Sequence, residues 1–242
     1  MRENGPAAFF RATSRRFRDA IKTRRGHAGL IGALCVEAFD SFDKNVPVSA
    51  SPALPVACEQ ECGGCLRLRA VATAPEILLL AHFLYGIERG AISPCDDGES
   101  AAAARHGAAQ RPHDLWDCPL IENRLCLAHK LRPLACRGLA GDDELACDKL
   151  TCVAAAGEYG EASLSKPNLV VRSLVQNAMM NALRREGMAW GLYEIARGLR
   201  IARDAPTAAR EWLAGGDPLA PASAPDFDRQ RAAAIFDTID RL

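Results

Sequence analysis

Residues 73–84 read T-A-P-E-I-L-L-L-A-H-F-L, and this stretch carries the clearest structural signal in the chain. Thr73 is a good helix N-cap, and Glu76 three residues later completes a capping box. Pro75 suits the first turn of a helix, where its missing N–H is no loss. The apolar residues that follow share one helical face at Ile77, Leu80, Ala81 and Leu84. The stretch therefore predicts a helix with one buried face, and His82 within it is expected to pack in the core or at the surface.

Helical spacing recurs on both sides of this stretch. Residues 8–25 and 28–43 each carry one apolar stripe, and Cys35 belongs to the second as a core residue. Farther along, Pro167 opens a helix that ends near Gly187, and three more helices are predicted after it. The alternation typical of strands is almost absent. We therefore predict a mainly α fold, in which a small irregular cysteine-cluster metal domain packs with several helices.

Changes in composition suggest three segments. The predicted boundaries give a basic N-terminal arm and helix at 1–54, a cysteine-cluster domain at 55–155 with a variable insertion at 93–112, and a helical C-terminal extension at 156–242. Proline-rich connectors are predicted at 46–57 and 215–225.

Cysteine usage points to a metal. Seven of the ten cysteines form two groups, Cys58, Cys62 and Cys65 and then Cys118, Cys126, Cys136 and Cys147, and Cys152 could be an eighth ligand. Thiolates three or four residues apart can close on one ion. The first residues, Met1–Gly26, lack the apolar core of a secretory signal. We therefore expect a reduced, cytoplasmic environment, which favours metal ligation over structural disulfides.

The identity of the metal stays open between zinc and an iron–sulfur cluster, because both accept four thiolates. Four thiolates around Zn²⁺ carry a net charge of −2, which favours nearby positive groups. Arg132 and Arg137 flank Cys136 and are candidates for that role, although two ordinary surface arginines would look the same. His129 could be a nitrogen ligand or a neighbour of the site.

Charge and hydropathy exclude some partners. The formal net charge is zero, so no overall field attracts nucleic acid or anionic lipid. No apolar stretch reaches the length of a membrane span. The arginines of residues 8–25 fit the solvated face of an amphipathic helix, with an arm for nucleic acid as the alternative. A metal ion is the expected partner, and a protein partner is left open.

The combined motif resembles the zinc- or iron-chelating family of YkgJ-type cysteine-cluster proteins. The family pattern runs C-x3-C-x2-C-C, a helix starting near a Glu, C-P-x-L and R-P-x-x-C-R. This chain matches it over about residues 55–152, at Cys58, Cys62, Cys65, Glu76, Cys118-Pro119-Leu120, Cys126, Arg132-Pro133 and Cys136-Arg137. It departs from the pattern at Leu66, where the family has a further cysteine, and at His129, where it has a tyrosine.

The resemblance implies two functions. One is a non-enzymatic metal-binding protein with zinc or an iron–sulfur cluster. The other is an iron–sulfur enzyme or accessory subunit that modifies a protein side chain, because related cysteine patterns occur in flagellin lysine N-methylases. No nucleotide fingerprint or catalytic constellation stands out in the residues, so the sequence leaves open whether the chain is an enzyme.

Overall fold

The structure, a computed structural model, describes residues 5–49, 70–90, 119–122, 125–138 and 165–242. Within these ranges eight α-helices account for most residues. They are α1 Pro6–Arg24, α2 Gly29–Ser49, α3 Ala74–Glu88, α4 Leu134–Gly138, α5 Lys166–Arg185, α6 Ile195–Asp204, α7 Ala208–Leu213 and α8 Arg229–Arg241. Extended structure is confined, in the same ranges, to the two-residue strands β1 Val71–Ala72, β2 Ile121–Glu122, β3 Leu125–Cys126 and β4 Tyr193–Glu194. The prediction of a mainly α fold is confirmed.

Helix α1 lies against α5 and α2 through the apolar stripe found in the sequence. Phe10, Phe17 and Ile21 are buried on this face. Several of its basic side chains bind the body of the protein: Arg18 donates to the Glu186 carboxylate at 2.8 Å, and Arg16 donates to the Glu37 carboxylate at 2.6 Å. These contacts support the interpretation of α1 as an amphipathic helix with a solvated basic face.

Helix α2 continues to Ser49, through Pro47. The prediction of an extended connector from residue 46 is therefore wrong for its first four residues. Proline near the end of a helix removes one backbone hydrogen bond, and the helix here continues for two residues beyond it. Cys35 on α2 is fully buried, as the apolar stripe predicted.

Helix α3 begins after Thr73 and includes Pro75 in its first turn, as predicted. Its apolar face packs between α2 and α6. Gly198 on α6 faces Ile77, and a Cβ at that glycine would stand 2.9 Å from the Ile77 Cδ1 atom. His82 is exposed on the opposite side, which confirms a surface position for it.

A short antiparallel ladder joins the start of α3 to the C-terminal part of the chain. Strand β1 pairs with β4 in the register Val71–Glu194 and Ala72–Tyr193. The Ile195 amide extends this contact by donating to the Ala70 carbonyl at 3.1 Å. The sequence pattern of Leu192, Ile195, Ala196 and Leu199 predicts a helix here, but the helix begins only at Ile195, because residues 193 and 194 are used for pairing.

The segment 215–225 is part of the packed structure. Leu219 and Ala222 are fully buried, and a 3-10 turn spans Ala220–Ala222. The Tyr193 hydroxyl donates to the Asp217 carboxylate at 2.9 Å, which ties the segment to β4. The prediction of a linker here is wrong, because its alanines and leucine bury apolar surface despite the turn-rich composition.

One hydrophobic core contains buried residues from all three predicted segments, among them Phe17, Ile77 and Val175. The predicted boundaries near residues 55 and 155 fall outside the described residues and stay predictions, as does the insertion at 93–112. Across the described helices, none combines the length and hydropathy required to cross a bilayer.

Candidate metal centre

Two of the eight predicted thiolate ligands, Cys126 and Cys136, lie in the described part of the chain. The other six, Cys58, Cys62, Cys65, Cys118, Cys147 and Cys152, lie outside the described residues. Cys126 and Cys136 are both partly buried, and both side chains pack against the hydrophobic core. The described residues therefore contain only part of the predicted ligand set.

Cys126 ends the second strand of an antiparallel β-hairpin. Strand β2 pairs antiparallel with β3, and Ile121 is opposite Cys126 in the register. The Leu127 amide continues the ladder by donating to the Leu120 carbonyl at 2.8 Å. Leu120 is buried at the base of the hairpin, which anchors it to the core. A hairpin of this kind holds the backbone around Cys126 in a defined position.

Cys136 lies on the short helix α4, as the fifth residue of the R-P-L-A-C-R motif. Pro133 precedes the helix, and its carbonyl accepts the Arg137 amide at 2.9 Å. Leu134 and Ala135 are buried, whereas Cys136 is partly accessible. Helix α4 packs against α5. The helix therefore turns its leucine inward and places the Cys136 thiol at the edge of the core.

The buried carboxylate of Glu76 connects helices α3 and α4. Its Oε2 atom accepts the Thr73 amide at 2.9 Å and the Thr73 hydroxyl at 2.7 Å. Its Oε1 atom accepts the Leu134 amide at 2.7 Å, from a residue far along the chain. Glu76 thus completes the capping box that the sequence predicted and also fixes the start of the helix that carries Cys136.

Burial raises the pKa of Glu76 above its ordinary value of 4.5. The three hydrogen bonds and the positive charge of Arg137 act in the opposite direction, because they favour the carboxylate. A charged group this deep is retained only when its oxygens are well bonded. Glu76 is therefore a structural hub, and truncating it would leave two buried backbone amides, of Thr73 and Leu134, without an acceptor.

Arg137 is held by oxygen atoms. Its Nε donates to the Arg132 carbonyl at 2.9 Å, and one terminal nitrogen donates to the Lys130 carbonyl at 2.7 Å. The other terminal nitrogen donates to both Asp43 carboxylate oxygens at 3.0 Å. The guanidinium also lies over the Phe39 ring, 4.4 Å from its centroid. These bonds brace the loop before α4, and the nearby Asp43 offsets the charge of Arg137.

Arg132 has a comparable local bond, because its Nε donates to the His129 carbonyl at 3.0 Å. His129 begins a 3-10 turn, His129–Leu131, and is partly buried between the hairpin and α4. The predicted contribution of Arg132 and Arg137 to charge compensation, and the choice of His129 as ligand or neighbour, stay predictions.

Arg172 on α5 packs against Gly138, two residues after Cys136, and sequence reasoning missed it. Its aliphatic stem crosses Gly138 so closely that a Cβ there would stand 2.9 Å from the Arg172 Cβ and 3.0 Å from its Cγ. Its Nε atom is buried and has no hydrogen-bond partner among the described residues. Burial lowers the pKa of Arg172, whereas the negative charges of Cys136 and Glu76 raise it.

The donor chemistry at this location fits a soft metal, because cysteine sulfur is the preferred ligand of zinc and of iron–sulfur clusters. The described residues do not contain a complete set of ligands: in these ranges no three His, Cys, Asp or Glu side chains group closely enough to hold an ion. Cys35 is a core residue, and burial raises the pKa of its thiol well above the ordinary value.

No family model, curated protein or solved structure matches this chain in comparisons of its sequence and fold. The resemblance to the cysteine-cluster family therefore depends on the motif residues alone.

Proposed function

We propose that this chain is a cytoplasmic metal-binding protein that holds zinc or an iron–sulfur cluster through thiolates of two sequence-distant motifs. The observation that carries the proposal is the placement of Cys126 and Cys136. Both are partly buried at the edge of the same core, one on a hairpin and one on a short helix. Metal-binding cysteines commonly occupy such braced turns, where sulfur is shielded from bulk water and still reachable.

The buried polar bonds around α4 support this proposal. A structural helix of five residues has little intrinsic stability, yet α4 is fixed by the Glu76 carboxylate and by the Arg137 bonds to two carbonyls. These hydrogen bonds hold Cys136 in a defined position, and they require polar groups to be buried. A metal ligand needs such positioning, whereas a cysteine that only fills space does not.

The test is anaerobic purification followed by elemental analysis and an absorption spectrum. We expect stoichiometric zinc, or iron with acid-labile sulfide, in the natural protein. C126S and C136S should each lower the metal content, because a serine hydroxyl is a poor ligand for soft metals. C35A is the matched control, because Cys35 is buried in the core and should not affect metal content. Folded natural protein without metal would refute the proposal.

The same spectrum distinguishes the alternative, an iron–sulfur enzyme or accessory subunit that modifies a protein side chain. A brown protein with visible absorption that bleaches on reduction would favour this alternative. A colourless protein with stoichiometric zinc would exclude it. A protein partner would then be sought as a structural or metal-transfer partner.

A further inference from the structure

We propose that one flank of helix α1 is a docking surface for duplex DNA, which it binds by the phosphate backbone without reading the base sequence. This surface, the basic flank, consists of Arg11, Arg15, Arg18, Lys22 and Arg25. The inference goes beyond metal binding and does not depend on it, because all five side chains belong to a helix outside the cysteine motif.

The basic flank is one continuous row on a single helix. Its members follow one another at alternating spacings of four and three residues, which places each above the last along α1. The row is about 21 Å long, and Arg15, Lys22 and Arg25 are exposed. Basic side chains in the last turn of a helix complement its dipole, but the first three members of the row lie outside that turn. The helix dipole therefore does not account for the row.

Intramolecular contacts hold the basic flank without neutralising it. Arg18 donates to the Glu186 carboxylate at 2.8 Å, and the Lys22 ammonium lies 3.9 Å from the same carboxylate. Arg25 donates to the Glu186 backbone carbonyl at 2.8 Å, an acceptor without net charge. Within α1 itself Asp19 is the one acidic residue. The flank therefore keeps a surplus of positive charge, although the formal net charge of the whole chain is zero.

The chemistry of the basic flank favours a phosphate backbone over other partners. Arginine presents planar N–H donors that match phosphate oxygens. A protein interface commonly has an aromatic or apolar centre, a helix on a membrane surface inserts apolar side chains, and proteins that bind single strands stack the bases on aromatic rings. In the described part of the chain, the large apolar side chains that are exposed belong to other helices: Val36, Tyr85, Val170, Ile235 and Leu242. Electrostatic binding to a duplex requires none of them.

Duplex DNA also fits the length and the donor set of the basic flank. B-form DNA carries one negative charge per about 1.7 Å of helix axis, so a row about 21 Å long meets more phosphates than it has cations. Recognition of duplex RNA adds contacts to the 2′-hydroxyl groups, whereas the flank offers positive charge alone. Each member of the flank can therefore pair with a phosphate of DNA.

The experiment titrates a fluorescently labelled DNA duplex of mixed sequence with the full-length protein and follows anisotropy over a series of salt concentrations. For the natural protein we expect the logarithm of the binding constant to fall linearly with the logarithm of salt concentration, with a slope of about −3 to −5. R15Q/K22Q/R25Q should weaken binding at low salt by about 10-fold or more. It should also make the slope shallower by about 3, because each lost phosphate contact removes about one unit.

R197Q/R200Q/R203Q is the matched control. Arg197, Arg200 and Arg203 are exposed on α6, so this variant loses the same three positive charges from a different helix. Its affinity for the duplex and its salt slope should equal those of the natural protein. If both triple variants weaken binding equally, the total charge of the protein governs binding, and the assignment to the basic flank is refuted.

Three further outcomes would overturn the proposal. One is a natural protein that does not bind the duplex at low salt. The second is competition by polyglutamate as effective as that by unlabelled duplex, which would point to an acidic protein partner. The third is tighter binding to an RNA duplex of the same sequence. Circular dichroism checks that the variants fold. If R15Q/K22Q/R25Q does not fold, R15Q/K22Q takes its place, with an expected slope change of about 2, and unchanged binding by that variant would refute the proposal.

Discussion

Two carboxylates, Glu76 at the α3–α4 junction and Asp237 at the α5–α8 contact, occupy opposite environments. Glu76 is buried and accepts hydrogen bonds from Thr73 and from the Leu134 backbone. Asp237 is partly exposed and binds the guanidinium of Arg184 at 2.5 Å, with Arg185 at 3.5 Å. Burial raises the pKa of Glu76, whereas the Arg184 hydrogen bond lowers the pKa of Asp237.

The comparison shows which polar contacts organise this fold. A bond to a buried backbone donor cannot be replaced by water, so Glu76 determines where α4 begins and where Cys136 lies. An exposed ion pair exchanges readily with water and salt, so Asp237 adds little to the α8 contact. Helix α8 is also held by apolar groups of α1, where the centroids of the Phe10 and Phe236 rings are 5.7 Å apart.

The largest predicted effect is the loss of the Glu76 carboxylate. E76A leaves the Leu134 and Thr73 amides without their acceptor and leaves the Thr73 hydroxyl only the Met179 sulfur at 3.3 Å, so it should lower the free energy of unfolding by about 3 kcal/mol. Urea denaturation measures this. E76Q should be intermediate, because an amide oxygen can replace one carboxylate oxygen only. If E76A lowers the free energy of unfolding by less than an ordinary surface substitution does, Glu76 is not a structural hub.

The next effect concerns two helical glycines. G138A should lower the free energy of unfolding by about 1–3 kcal/mol, because the new Cβ would collide with the Arg172 side chain. G32A on α2 is the matched control, because nothing lies within 4 Å of its added Cβ. It should raise stability by about 0.5–1 kcal/mol through helix propensity. Equal effects of both substitutions would contradict the close approach of α4 to α5.

The pH dependence should have opposite signs in the two regions. Glu76 has a raised pKa in the folded state. The pH-dependent part of its contribution to the free energy of unfolding is therefore fully present below pH 4.5 and is lost as the pH rises through the folded pKa. Asp237 has a lowered pKa, so its contribution is present above 3.8 and is lost as the pH falls through its folded value. Unfolding of the natural protein, E76Q and D237N over a pH series measures both slopes. If the two substitutions change the pH dependence of the free energy of unfolding in the same direction, the opposite signs assigned to Glu76 and Asp237 are contradicted.

The smallest effect is expected for the exposed carboxylate. D237A removes an ion pair in which both partners retain access to water, and it should change stability far less than E76A does. Added salt should reduce what effect there is, because salt screens exposed charges. Thermal unfolding at low and high salt provides the measurement. An effect that matches E76A and persists in high salt would show that the ion pair organises the α5–α8 contact.

Sequence reasoning succeeded where the deciding interactions were local. The capping box of Thr73 and Glu76 involves residues three positions apart, and the burial of Cys35 follows from one apolar stripe. It was wrong about Pro47 and about the segment around Leu219, because a turn-rich composition does not reveal whether the chain finds a surface on which to pack. The metal-ligand set could be predicted from spacing, and it stays a prediction.

Amino-acid order alone predicted the longer helices of this protein, though not all of their ends, and the positions of its thiol groups, because helical periodicity and capping depend on neighbours within one or two turns. The second bond of Glu76 to Leu134 and the position of Arg172 over Gly138 depended on the packing of α3, α4 and α5. Contacts between distant residues arise from the way side chains fill the space between helices, and that space has no counterpart in the linear pattern.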